Sequence, residues 1–120
     1  MRTTVALHNL GQSPWPDNIT RDLLNSGTLQ RYIDEFSVTG LTSNPAIFAH
    51  AIRNSAAYDE DISRWVLSGK SGEDLFFQLA LSDLTRAAEL FRYVFVRTDR
   101  VDGWVSLEVS PLIAHDTDCV

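Results

Sequence analysis

The chain has 120 residues, with 16 Asp and Glu against 10 Lys and Arg, a formal net charge of −6. Hydrophobic residues make up 44% and charged residues 22%, ordinary for a globular protein of one domain or part of a larger one. The acidic balance argues against a nucleic-acid partner, since nothing here neutralises several phosphates on one face, and no run of roughly 18 apolar residues offers a membrane span.

The segment 1–8 lacks the apolar stretch of a secretory signal, and the single cysteine, Cys119, permits no internal disulfide. A reducing, cytoplasmic location is the expectation. Of the ten basic residues nine are Arg, and only Lys70 is Lys.

Short Gly/Pro/Ser/Asn-rich segments alternate with longer ones in which apolar residues recur at spacings of three and four. No repeat, linker or internal domain boundary interrupts 1–120. The first such short segment, 13–17, is a weak strand candidate because it holds Pro14 and Pro16. Asp17 or Asn18 is expected to cap a helix starting near Ile19, with Leu23 and Leu24 inward and Gly27 as its stop. A helix over 28–36 would bury Leu29, Tyr32, Ile33 and Phe36.

Residues 38–41 form a short strand candidate. Asn44-Pro45 then reads as an N-cap followed by proline at the first helical position, opening a helix over 46–54. The segment 58–67 repeats the pattern through Ile62, Trp65 and Val66, ended by Gly69. The longest helix is expected over 73–93, with a face of Leu75, Phe76, Leu79, Ala80, Asp83, Leu84, Ala87, Ala88, Leu90 and Phe91. Asp83 interrupts that face and is expected to accept N–H bonds or to serve a helix-packing contact.

The clearest strand is 103–110, with Val105, Leu107 and Val109 on one side and Ser106, Glu108 and Ser110 on the other. Strands alternating with helices suggest an α/β chain with a parallel sheet, about three βα units. Such a sheet leaves a hydrophobic edge open, through which copies of the chain could self-associate.

Asp17 and Glu108 both fall at the carboxyl ends of candidate strands, where α/β enzymes place catalytic groups. Two carboxylates in different environments can divide proton donation from abstraction. A helix cap at Asp17 and a plain surface position at Glu108 account for the same residues, and capping accounts equally for Asn44. His8, His50 and His115 have no metal-ligand spacing among themselves or with Cys119, so no metal site is expected. Asn18-Ile19-Thr20 matches a glycosylation acceptor by accident, and no phosphate-cradling glycine loop is present.

Three ordered motifs together resemble the N-terminal portion of bacterial transaldolase: Leu10-Gly11-Gln12-Ser13-Pro14-Trp15-Pro16-Asp17-Asn18-Ile19-Thr20-Arg21, Gly40-Leu41-Thr42-Ser43-Asn44-Pro45-Ala46-Ile47-Phe48 and Asp102-Gly103-Trp104-Val105-Ser106-Leu107-Glu108-Val109-Ser110-Pro111. The resemblance covers nearly the whole chain and implies an incomplete (β/α)8 barrel, circularly permuted relative to class I aldolases. It implies transfer of a dihydroxyacetone unit from sedoheptulose 7-phosphate to glyceraldehyde 3-phosphate in the pentose phosphate pathway, through a lysine Schiff base and without metal or organic cofactor. By motif match Asp17 takes the proton-transfer role, Glu108 activates the imine water, Asn44 binds the dihydroxyacetone unit and Thr42 shapes the pocket.

The family's Schiff-base lysine lies on the strand after the Glu108 strand, and Lys70, in a loop between helices, does not match it. The resemblance therefore suggests a truncated, frameshifted or split gene product, inactive alone, that would meet sugar phosphates only when completed. The alternative is a non-catalytic remnant or interaction module built on the helices over 46–67 and 73–93.

Overall fold

A computed structural model describes residues 2–109 and 111–118. Among the described residues six α-helices and two short strands run in the order α1 (Thr3–Asn9), α2 (Arg21–Asn25), α3 (Thr28–Phe36), β1 (Gly40–Thr42), α4 (Pro45–Asn54), α5 (Asp59–Leu67), α6 (Gly72–Arg97) and β2 (Trp104–Ser106). Single 3-10 turns cover Ala56–Tyr58 and Pro111–Ile113. The class is α/β, helix-rich, with β1 and β2 parallel and Gly40, Leu41 and Thr42 opposite Trp104, Val105 and Ser106.

The core lies between this sheet and the helices. Leu41 is fully buried against a cluster that includes Ile19, Leu29, Phe48, Tyr58, Leu79, Phe91 and Val94. Phe48 links its two halves through edge-to-face contacts with Tyr58 and Phe76, at 5.7 and 5.2 Å between ring centroids. α6 supplies the long buried stripe, including Leu79, Ala80, Asp83, Leu84, Ala87, Phe91 and Val94.

Several local expectations hold. α3 occupies the anticipated span, and Asn44 caps α4 with Pro45 at its first position. Asp83 is fully buried and accepts two side-chain hydrogen bonds.

Others are corrected. Segment 13–17 is not a strand: Thr39 and Thr42 donate their N–H groups to the carbonyls of Pro14 and Pro16 (3.1 and 3.0 Å), but the prolines have no N–H to return. The segment thus lines the free side of β1 in the same direction without forming a ladder.

The cap of α2 is Thr20, whose Oγ1 accepts from the Leu23 N–H at 3.1 Å, rather than Asp17 or Asn18. Ile19 stays outside the helix because it is drawn into the core, 2% exposed. The strand expected over 38–41 begins later, at Gly40, and the strand expected over 103–110 shrinks to Trp104–Ser106, since β1 offers only three residues to pair with. Ser110 lies outside the described residues, as does Cys119.

Val66 and Ala88 face outward, and the expected helix over 58–67 starts with a 3-10 turn. α6 runs on to Arg97, and α1, which buries no residue, carries no sequence signal strong enough to announce it.

Close packing seals the amino ends of the parallel segments. A Cβ on Gly40 would lie within 2.2–2.7 Å of the Trp15 indole, and one on Gly103 (φ +87°) within 2.5 Å of the Phe95 backbone nitrogen. Both positions need glycine. In and beside β2 the apolar residues Val101, Trp104 and Val109 are exposed. No helix of the structure is long and apolar enough to cross a membrane.

Candidate active site

Residues 14–16, β1 and β2 run side by side in one direction, so their carboxyl ends meet on one side of the molecule. Backbone bonds fix this junction. The Thr42 N–H holds the Pro16 carbonyl at 3.0 Å, one residue before Asp17. The Ser43 N–H donates to the Ser106 carbonyl at 3.1 Å, and the Ser43 hydroxyl accepts from the Glu108 N–H, also at 3.1 Å. Asp17, Thr42, Asn44 and Glu108 thereby lie along the same rim: Thr42 and Glu108 donate bonds that tie neighbouring segments, and Asp17 and Asn44 each follow a residue that makes one.

Their environments differ. Asp17 and Glu108 are exposed, and the Asp17 carboxylate makes no hydrogen bond or ion pair among the described residues. Glu108 lies two residues past the end of β2 rather than within it. Thr42 and Ser106, opposite one another in register, share the sheet face away from Leu41.

Asn44 is the cap of α4. Its Oδ1 accepts from the Ala46 and Ile47 N–H groups at 3.0 and 3.3 Å. The cap occupies the oxygen only and leaves the amide NH2 with its donors.

Behind the rim lies a polar network that the motifs do not reveal. Arg21 opens α2, four residues after Asp17, and is 7% exposed. Its Nε donates to Asp83 Oδ1 at 2.9 Å and its Nη1 to Asp61 Oδ2 at 2.6 Å. The guanidinium lies over the Tyr58 ring, 4.5 Å from the centroid. Tyr58 Oη accepts the Arg21 backbone N–H and donates to Asp83 Oδ2, both at 2.7 Å.

Burial first, and then the bond to Asp83, push the Tyr58 phenol well above its ordinary pKa. Burial opposes charge on Arg21 as well, but Asp83 and Asp61 outweigh it and raise its pKa above the usual value. The one sequence signal for this network was Asp83, a carboxylate in an apolar stripe that required a buried partner. Lys70 sits in the loop between α5 and α6, its N–H on the Trp65 carbonyl at 2.9 Å.

Comparison with known proteins decides the family. The model described as Transaldolase/Fructose-6-phosphate aldolase matches residues 14–120. The chain belongs to that family. It is 44% identical over 108 residues to Transaldolase 2 of Nostoc punctiforme, covering 90% of this chain and 28% of the relative. The transaldolase of Trichodesmium erythraeum is 41% identical over 93% of this chain and 30% of its own length. That of Saccharopolyspora erythraea is 42% identical over 94% and 30%. The chain thus spans less than a third of the length of these curated relatives, all named as transaldolases.

Proposed function

We propose that these 120 residues form the opening βα units of a transaldolase (β/α)8 barrel, with no internal domain boundary. In this reading they contribute the acid–base side of a site that transfers a dihydroxyacetone unit from sedoheptulose 7-phosphate to glyceraldehyde 3-phosphate. The observation that carries the reading is the convergence of Asp17, Asn44 and Glu108 on one rim of parallel segments, within a chain of this family.

The chemistry divides as follows. A lysine amine adds to the ketone carbonyl and expels water to form an imine, and Glu108 handles the proton of that water. Asp17 takes the hydroxyl proton as the carbon–carbon bond breaks, and the electron pair is held by the imine. The Asn44 NH2 donates to a hydroxyl of the bound three-carbon unit, and Thr42 shapes the wall beside it. The only lysine here, Lys70, lies far from any strand end in sequence and in an interhelical loop. The imine-forming amine therefore has to come from barrel units outside these residues, and the chain alone turns over no substrate.

A second reading, a non-catalytic module that self-associates, is favoured by the exposed apolar residues in and beside β2. One experiment separates the two. Residues 14–120 replace the matching segment of the Nostoc punctiforme relative, and the chimera and the chain alone are incubated with fructose 6-phosphate and borohydride. The expected result is a trapped adduct and transfer activity in the chimera and neither in the chain. Asp17→Asn should still trap the adduct but lose about 10² to 10⁴ in turnover, and Glu108→Gln should slow trapping by a similar factor. An adduct on Lys70 in the chain would overturn the assignment. A folded, inactive chimera together with a dimeric chain would favour the second reading.

A further inference from the structure

We propose that Arg21, Tyr58 and Asp83 are positioning residues for Asp17: together they clamp the start of α2 and so fix where the preceding carboxylate stands on the rim. The proposal rests on the reading of Asp17 above. Its basis is the way segment 17–20 is held.

Upstream, the Pro16 carbonyl is bound by the Thr42 N–H at 3.0 Å. Downstream, the first amide of α2, which has no partner inside its own helix, is bound by Tyr58 Oη at 2.7 Å. Between these anchors Ile19 is sunk in the core, 2% exposed, and the Thr20 hydroxyl caps the helix. The Asp17 carboxylate makes no hydrogen bond or ion pair among the described residues, so its placement is inherited from the backbone on either side.

Tyr58 can serve as the downstream anchor only while its own hydrogen points elsewhere. Asp83 ensures this: one carboxylate oxygen takes the Tyr58 hydroxyl hydrogen at 2.7 Å and the other takes Arg21 Nε at 2.9 Å. The Tyr58 lone pairs are thereby turned toward the Arg21 N–H. Three residues from α2, the 3-10 turn and α6 thus close a ring through both the side chain and the main chain of Arg21, four positions from Asp17. α2 has five residues, too few to hold its own orientation by helix formation alone.

The decisive variant is Tyr58→Phe, which keeps the ring under the guanidinium and deletes only the hydroxyl. In the chimera it should lower kcat about tenfold and leave KM within about twofold, the signature of a misplaced group that acts in the transition state. Phe91→Leu, a core change in α6 remote from the clamp, serves as the stability control. It should leave kcat within about twofold even where its melting temperature falls as far. In the chain itself, Tyr58→Phe should speed amide exchange across 17–21 about tenfold while α4 is unchanged.

Equal kcat for Tyr58→Phe and Phe91→Leu overturns the proposal, as does unchanged exchange over 17–21. If instead Asp17→Asn is fully active, the catalytic reading of Asp17 falls, and the exchange measurement alone decides whether the clamp holds that segment.

Discussion

Asp102 and Asp17 stand at opposite ends of the same small parallel array, in different surroundings. At the amino end, Asp102 is 5% exposed, accepts the Ser13 hydroxyl at 2.6 Å and has its own N–H bound to Thr98 Oγ1 at 2.9 Å. The Gly103 N–H meets the Thr39 carbonyl at 2.6 Å beside it, and Trp15 packs on Gly40. At the carboxyl end, Asp17 and Glu108 face solvent, and the main chain rather than their carboxylates holds the rim together. A carboxylate buried with donors serves the fold, because leaving its partners unsatisfied is costly. One left open, on a backbone pinned from both sides, is available to a ligand. On the proposed function this is the division between a stabilising end and a reactive end that parallel βα architectures commonly show.

The contrast can be tested by unfolding the chain in urea, where a shifted midpoint at constant m reports stability. Asp102→Ala should have the largest effect, about 1–3 kcal/mol, because it deletes a buried, charged acceptor of the Ser13 hydroxyl and opens the amino-end seal. Asn44→Ala should cost about 1 kcal/mol through the lost cap, whereas Asn44→Asp should cost little, since aspartate caps equally well. In the chimera, however, Asn44→Asp should still weaken substrate binding, because it keeps the capping oxygen and removes the NH2. Asp17→Asn should be smallest, within about 0.5 kcal/mol, as expected for an exposed residue without partners. A loss at Asp17 as large as that at Asp102 would break the distinction between the two ends.

What the sequence disclosed was mostly what is local. The 3-to-4 spacing of Leu29, Tyr32, Ile33 and Phe36 marked α3 to the residue, and Asn44-Pro45 announced both the cap and the start of α4. The alternation that put Val105, Leu107 and Val109 on one side held for the first two, which pack against the core, but failed at Val109, which is 44% exposed. The errors arose where a neighbour decides the outcome. Thr20 displaced Asp17 as a cap because burial of Ile19 sets where α2 can begin. The 13–17 strand failed because two prolines cannot complete a ladder that β1 is ready to accept. Val66 has the right spacing to face inward, but the short α5 turns it outward, 52% exposed.

The rim of Asp17, Thr42, Asn44 and Glu108 was legible through motif resemblance. The clamp behind it was not, because its members are separated by 25 to 62 positions and only Asp83 looked out of place.

That long separation also gives the clamp a place in time. Arg21 and Asp83 lie 62 residues apart, so a ribosome adding about 5–20 residues per second leaves Arg21 waiting roughly 3–12 s for its partner to be made. The parallel pairing of Gly40 with Trp104 comes later still, after the whole of α6. During synthesis the α2 segment, too short to be a stable helix by itself, therefore has its arginine in water, and a nascent chain halted before residue 83 would carry it unlatched. The emergence of α6 is the event that turns a string of short helices into a single closed unit.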